Sequence, residues 1–219
     1  MSKFKNTLVK TLRFIISFGS FIWLGALMFV LDFVSKQVVL NNMAITDNIQ
    51  LIPNFLSINY IINDGMAFGI DFRNAVLNRV MFAVISVIGA AILIAIYTHK
   101  YKEKNNFVKI SLMLMISGCI GNLIDRAFYS AEYLGADTNG VVDFIGFKFG
   151  SYDFPRFNVA DSCLVIGTIL LIIWLFISEI KDLKLKKENK ETTAVETHVS
   201  KDEKLLKGED VKDETSENN

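Results

Sequence analysis

Four stretches of this chain are long and apolar enough to point to one broad outcome, a bundle of helices crossing a lipid bilayer. They are Phe14–Val34, Val80–Thr98, Ile110–Ile124 and Ser162–Ser178, runs of 21, 19, 15 and 17 residues. Such lengths fit spanning helices whose end residues reach back to the interface or that tilt little. The chain is 219 residues long, 52% hydrophobic, with 23 basic and 23 acidic residues, and its charge is segregated. The 39 residues Lys181–Asn219 hold 9 basic and 11 acidic side chains, leaving 14 and 12 for Met1–Ile180. Zero net charge thus averages an apolar body with a mixed-charge tail, and it gives no reason to expect a nucleic-acid partner. The body has room for a few spans and short loops but not for a separate large enzymatic domain. Any chemistry must sit in or against the bilayer.

Basic residues orient the bundle. The first 13 residues carry four Lys/Arg, His99–Lys109 four and Lys181–Lys190 five, whereas the longer segments Ser35–Arg79 and Arg126–Phe157 carry three each. The positive-inside rule then puts both termini and the middle loop in the cytoplasm. The expected organisation is a cytoplasmic N-terminus over 1–13, a four-helix domain over 14–180 with outer segments at about 37–75 and 127–157, and a charged, disordered cytoplasmic tail over 181–219. A cleaved leader is the competing reading of the first 30 residues, but the apolar run is too long and lacks a small-residue cleavage site. In the first outer segment, Ile49–Ile52 and Leu56–Ile62 alternate like strands, with turn signals at Pro53-Asn54 and Asn63-Asp64-Gly65. They predict a small extracytoplasmic sheet.

This topology gathers Asp32, Lys36, Asp125, Arg126 and Asp161 at the outer ends of their helices. Ionisable groups at membrane depth are costly and therefore mark candidate sites. Asp32 and Lys36 are spaced i,i+4 and could pair, a contact that by itself would only pin the end of the first helix. In Gly118–Arg126 the glycines allow close helix approach, and Asn122, Asp125 and Arg126 share one side of a helix end. Asp143 stands in the apolar run Val141–Ile145, where burial should raise its pKa. Asn158 and Asp161 share a face at the start of the fourth helix. Two carboxylates brought together could share one proton, one acting as base toward water and the other as acid. Cys119 and Cys163 form no metal-ligand pattern, and His99 and His198 fall in a loop and in the tail. No metal or cofactor is expected, and no nucleophilic Ser-Lys or Ser-His pair is comparably placed.

The segments Asp32–Lys36, Asn59–Gly69, Gly121–Arg126, Val142–Phe144 and Phe157–Ser162 occur in an order that resembles lipoprotein signal peptidase, or signal peptidase II. The resemblance covers about residues 20–178. It implies an α-helical membrane protein with four transmembrane helices and a small extracytoplasmic β-cradle between helices 1 and 2. It further implies an aspartyl endopeptidase of the bacterial inner membrane that removes signal peptides from diacylglyceryl-modified prolipoproteins, cutting before the lipid-modified cysteine. By this resemblance the catalytic carboxylates fall on Asp143 and Asp161, and supporting or substrate-binding residues on Asp32, Lys36, Asn63, Gly65, Asn122, Asp125, Arg126 and Asn158. Expected partners are the precursor lipoproteins, membrane lipids and globomycin-type inhibitors, with the enzyme a monomer. Tyr129–Gly140 makes the second outer segment longer than the family's usual turn, and the charged tail is an addition. Ile116-Ser117-Gly118-Cys119 imitates the motif such a protease would cut, but inside a helix it reads as packing.

Two other classes compete. A proton-coupled transporter would distribute polar residues through the membrane depth, whereas the inner halves of all four runs are almost purely apolar. A non-enzymatic anchoring protein would use the polar clusters as interhelical glue and would tolerate replacement of either aspartate.

Overall fold

The computed structural model describes residues 2–64, 74–99, 105–135 and 139–206, with backbone alone for 2–20, 75, 191–192 and 194–206. Its elements are α1 (Ser2–Asn42), β1 (Asn48–Ile52), β2 (Leu56–Asn63), α2 (Ala75–Thr98), α3 (Asn106–Phe128), α4 (Ala131–Leu134), β3 (Val141–Phe149), β4 (Tyr152–Asp153) and α5 (Val159–Leu206). Among the described residues, Phe21–Asn42, Val76–Thr98, Asn106–Phe128 and Val159–Lys190 are long and apolar enough to cross a membrane. The chain divides into two compact units, Met1–Ile172 and Ile173–Asn219.

In the first unit α3 is the hub against which α1 and α2 both pack. Glycines also bring the first turns of α5 close to α3. A Cβ on Gly118 would run into the Ala160 carbonyl and Leu164, and one on Gly121 would stand 2.6 Å from Asp32 Oδ2 and 3.0 Å from the Ala160 methyl. On α5, Gly167 meets Ser111 and Met115 in the same way. Small residues on facing positions let these backbones approach, the usual source of contact energy between helices in lipid. Gly118 is thus a packing residue, as the motif-like Ile116–Cys119 stretch was read to be.

The sheet has the antiparallel order β1-β2-β3-β4. The small sheet expected between the first two spans is present as β1 and β2, and two further strands extend it. β3 and β4 come from the segment between α3 and α5, and β3 lies along β2 with Ile61 opposite Asp143 and Asn63 opposite Val141. Alternation along β3 sends Val142 and Phe144 into a core with Val39, Tyr60, Tyr129 and Leu134, and Asp143 to the other face. The long segment between α3 and α5 is not a bare loop: Ser130 caps the single turn of α4, which ends at Gly135 with a φ of 63°.

In the second unit α5 runs on as helix through Leu206, where the sequence reading expects a disordered tail. Residues 181–190, all exposed, are mostly Lys, Leu and Glu, strong helix formers, and Lys184 and Glu188 lie one turn apart. Such a segment needs no core to carry a helix onward.

Candidate active site

The site is built in two layers at one end of the helices. In the first, Lys36 of α1 is 1% exposed and donates to Asp32 Oδ2 at 2.8 Å, Asp125 Oδ2 at 2.9 Å and Asn122 Oδ1 at 3.2 Å. An ammonium has three donors, and here each meets an acceptor. The two carboxylates then reach further. Asp32 Oδ1 accepts the Ala160 N–H at 2.8 Å, an orphan donor in the first turn of α5. Asp125 Oδ2 accepts the Val142 N–H of β3 at 3.2 Å. One lysine thereby ties together α1, α3, α5 and the sheet. The simple helix-end pair expected from the i,i+4 spacing exists, as part of this larger network.

The second layer follows from the first. Because Lys36 can only donate, Asn122 must turn its oxygen toward it, and its Nδ2 is left to donate to Asp161 Oδ1 at 2.7 Å. Asn158 is oriented by a helix start. Its Oδ1 accepts the Asp161 N–H at 2.9 Å while Asp161 Oδ2 accepts the Asn158 N–H at 3.2 Å, a reciprocal capping box. The Asn158 Nδ2 is thereby aimed at Asp143 Oδ1, 2.7 Å away, with further contacts to Asn122 Oδ1 and the Val142 carbonyl. Asn158 thus touches both Asp143 and Asp161. The backbone fixes this juxtaposition, since Phe157 exchanges hydrogen bonds with Ile145 of β3 immediately before the cap. Asn63, at the end of β2, donates to the other oxygen, Asp143 Oδ2, at 2.9 Å.

Asp143 is 1% exposed. Burial first, and then the negative charge of Asp161, push its carboxyl up to about 7, against the opposing effect of the Asn63 hydrogen bond, the Lys36 charge and the Asn158 hydrogen bond. A carboxyl that titrates near neutrality beside a second carboxylate is the arrangement that can take and give a proton at physiological pH.

The structure brings together Asp143, Asp161, Asp32, Lys36, Asn63, Asn122, Asp125 and Asn158. Gly65 lies outside the described residues. Asp125 is committed to Lys36 and to the Val142 N–H of β3. Arg126 turns elsewhere. It lies over the Phe82 ring of α2 at 5.6 Å, with one long contact of 3.4 Å to the Asn122 carbonyl. One residue was missed by the sequence reading: Arg79 of α2 donates through Nε and Nη2 to the Arg126 and Ala127 carbonyls and closes the end of α3. Only its position near the start of an apolar run could have marked it.

Fold and site together are those of a multi-pass membrane protein with a paired-carboxylate centre, the class to which membrane-embedded aspartyl proteases belong. Comparison with known proteins narrows the class. A profile of the signal peptidase (SPase) II family matches residues 24–177. The lipoprotein signal peptidases of Staphylococcus aureus strains MRSA252 and JH9 are each 35% identical over 170 residues, covering 78% of this chain and 93% of theirs. Two bacterial membrane enzymes solved by the in meso method, at 2.3 and 1.9 Å, superpose with TM-scores of 0.62 and 0.59 at 34% and 35% identity. These alignments cover 74% and 72% of this chain and 90% and 92% of those structures. The chain belongs to the signal peptidase II family.

Proposed function

We propose that this protein removes signal peptides from diacylglyceryl-modified prolipoproteins by cutting just before the lipid-modified cysteine, with Asp143 and Asp161 as the catalytic pair. The observation that carries this reading is that one residue, Asn158, holds both carboxyl groups, its side-chain Nδ2 donating to Asp143 Oδ1 and its backbone N–H to Asp161 Oδ2. Asp161 accepts N–H donors on both oxygens and serves as base, taking a proton from water as it attacks the scissile carbonyl. Asp143, a carboxyl titrating near neutrality, serves as acid and donates its proton to the carbonyl oxygen. As the tetrahedral intermediate collapses, the leaving amine takes the proton that Asp161 accepted, and the hydroxyl returns the other to Asp143. Asp32, Lys36, Asn63, Asn122, Asp125 and Asn158 position the pair, and Gly65 is assigned with them.

Arg126 binds rather than reacts. Its planar fork of donors suits a substrate carbonyl or lipid ester near the outer interface. Arg126→Lys keeps the charge and loses that geometry, so it should weaken globomycin binding more than Asp143→Asn or Asp161→Asn does; unchanged affinity would remove this role.

The protein works as a monomer in the bacterial inner membrane with both termini in the cytoplasm and the site toward the outer face. Reporter fusions at Lys104 and after Lys187 should read inside, and fusions near Asn48 and Thr138 outside. An outside signal at Lys104 would overturn the orientation. The direct test of function is purified enzyme with a lipid-modified and an unmodified precursor. Cleavage of the former alone, before the cysteine, supports the reading, and failure to cleave either removes it.

A further inference from the structure

Beside the carboxylate site lies a second feature that the reaction does not use. A groove of about 460 Å³ runs along α2, lined by Val76, Val80, Ala83, Val84, Val87 and Ile88, with Arg79, Arg126 and Ala127 at its head. Its walls are apolar and largely exposed, with Val80 50% and Val87 51% accessible on a helix long and apolar enough to span. Its head is cationic. Arg79 is held by the end of α3, whereas Arg126 makes no ion pair among the described residues and spends one N–H on a long contact to the Asn122 carbonyl.

The dimensions set the occupant. From Val76 to Ile88 is 12 residues of helix, roughly 18 Å at about 1.5 Å per residue. Half of a hydrocarbon core about 30 Å thick is roughly 15 Å, so the groove reaches about as deep as one leaflet. It starts where α2 starts, at the end of the bundle that holds the site, and Arg126 follows Asp125 in the same helix end. A single flexible hydrocarbon chain with an ester at its upper end matches both the apolar walls and the donors at the head.

We infer that this α2 groove is the subsite for one acyl chain of the substrate's diacylglyceryl group, with Arg126 donating to the ester oxygen and Arg79 holding the end of α3 that carries Arg126. The inference rests on the proposed function and names how that site recognises lipid. It makes groove-lining residues specificity determinants: filling the groove should penalise long chains and leave short ones alone.

The test compares synthetic precursor peptides whose cysteine carries two palmitoyl or two butanoyl chains. Ala83→Phe and Val80→Phe each place a ring in the groove. Each should raise KM for the palmitoyl substrate about tenfold or more, the usual effect of altered fit in an apolar pocket, with kcat and the butanoyl KM nearly unchanged. Should both variants fail to fold, the Asp161→Asn protein can be loaded with precursor bearing a diazirine at the acyl terminus. Crosslinks should then fall between Val80 and Ile88. An unaltered ratio of palmitoyl to butanoyl KM in a folded variant, an equal rise for both substrates, or crosslinks confined to α1 or α5 would overturn the inference. If the parent enzyme cleaves neither peptide, the proposed function itself falls.

Discussion

α2 and α3 are neighbours of nearly equal length, 24 and 23 residues, yet the more apolar of the two is the less buried. Only 11% of the spanning window of α2 is buried, against 61% for α3. In water this order would be reversed, because apolar surface is driven inward. In lipid an apolar helix face already has a suitable solvent, and it is polar and small residues that must find protein. α3 carries Asn122, Asp125, Gly118 and Gly121, and each meets another element; α2 carries valines and isoleucines and faces outward. The two helices divide the work accordingly, α3 organising the polar site and α2 offering a lipid-facing wall.

The harshest way to break this contrast is Lys36→Met. It leaves Asp32 and Asp125 buried without their cation, and removing one partner from a buried ion network costs about 3–5 kcal/mol. The thermal midpoint in detergent should fall steeply, and an unchanged midpoint would show that the network does not hold α1 to α3. Gly121→Ala is milder. Its new methyl meets Asp32 Oδ2 and the Ala160 methyl, so overpacking should cost about 1–3 kcal/mol in the same assay.

A pH titration sharpens the account of Asp143. Its pKa is raised in the folded protein, so its contribution to stability is fully present below the unfolded value near 3.8 and is lost as pH rises through about 7. Asp143→Asn should therefore flatten the decline of the thermal midpoint over that window. Activity should lose its acid over the same range, giving an alkaline limb near pH 7. In Asp161→Asn the Asp143 carboxyl should titrate lower than in the parent but still above the usual range, because burial is the larger cause. At the mild end, Ile85→Leu on the exposed face of α2 should change stability by no more than about 0.5 kcal/mol. A loss of several kcal/mol would mean that this face packs against protein rather than lipid.

Much of the bundle was legible because hydrocarbon length is a strong constraint, and the four apolar runs each fall within a spanning helix. Their ends were not, since Lys36 and Asp125 look like termini by charge and are in fact buried members of one network with Asp32. β3 was hidden because Val141–Ile145 is an apolar run around one carboxylate, and nothing local says that it pairs with β2. Asn158 and Asp161 could be placed at a helix start, but the capping box gains its meaning only when Phe157 pairs with Ile145 and swings Asn158 onto Asp143. The direction in which Arg126 points depended on Phe82, forty-four positions earlier, and was beyond any reading of α3 alone.

The central claim is that Asp143 and Asp161 act as one proton-sharing unit. It is tested most directly by turnover of a lipid-modified precursor with Asp143→Asn, Asp161→Asn and the double variant, each checked for folding and membrane insertion. Each single variant should lose at least about 10²–10⁴-fold, as expected for removal of a general acid or base. The double variant should be little worse than either, because residues that work as a unit do not add. Substantial cleavage by either single variant, or losses that multiply in the double, would contradict the two-aspartate account.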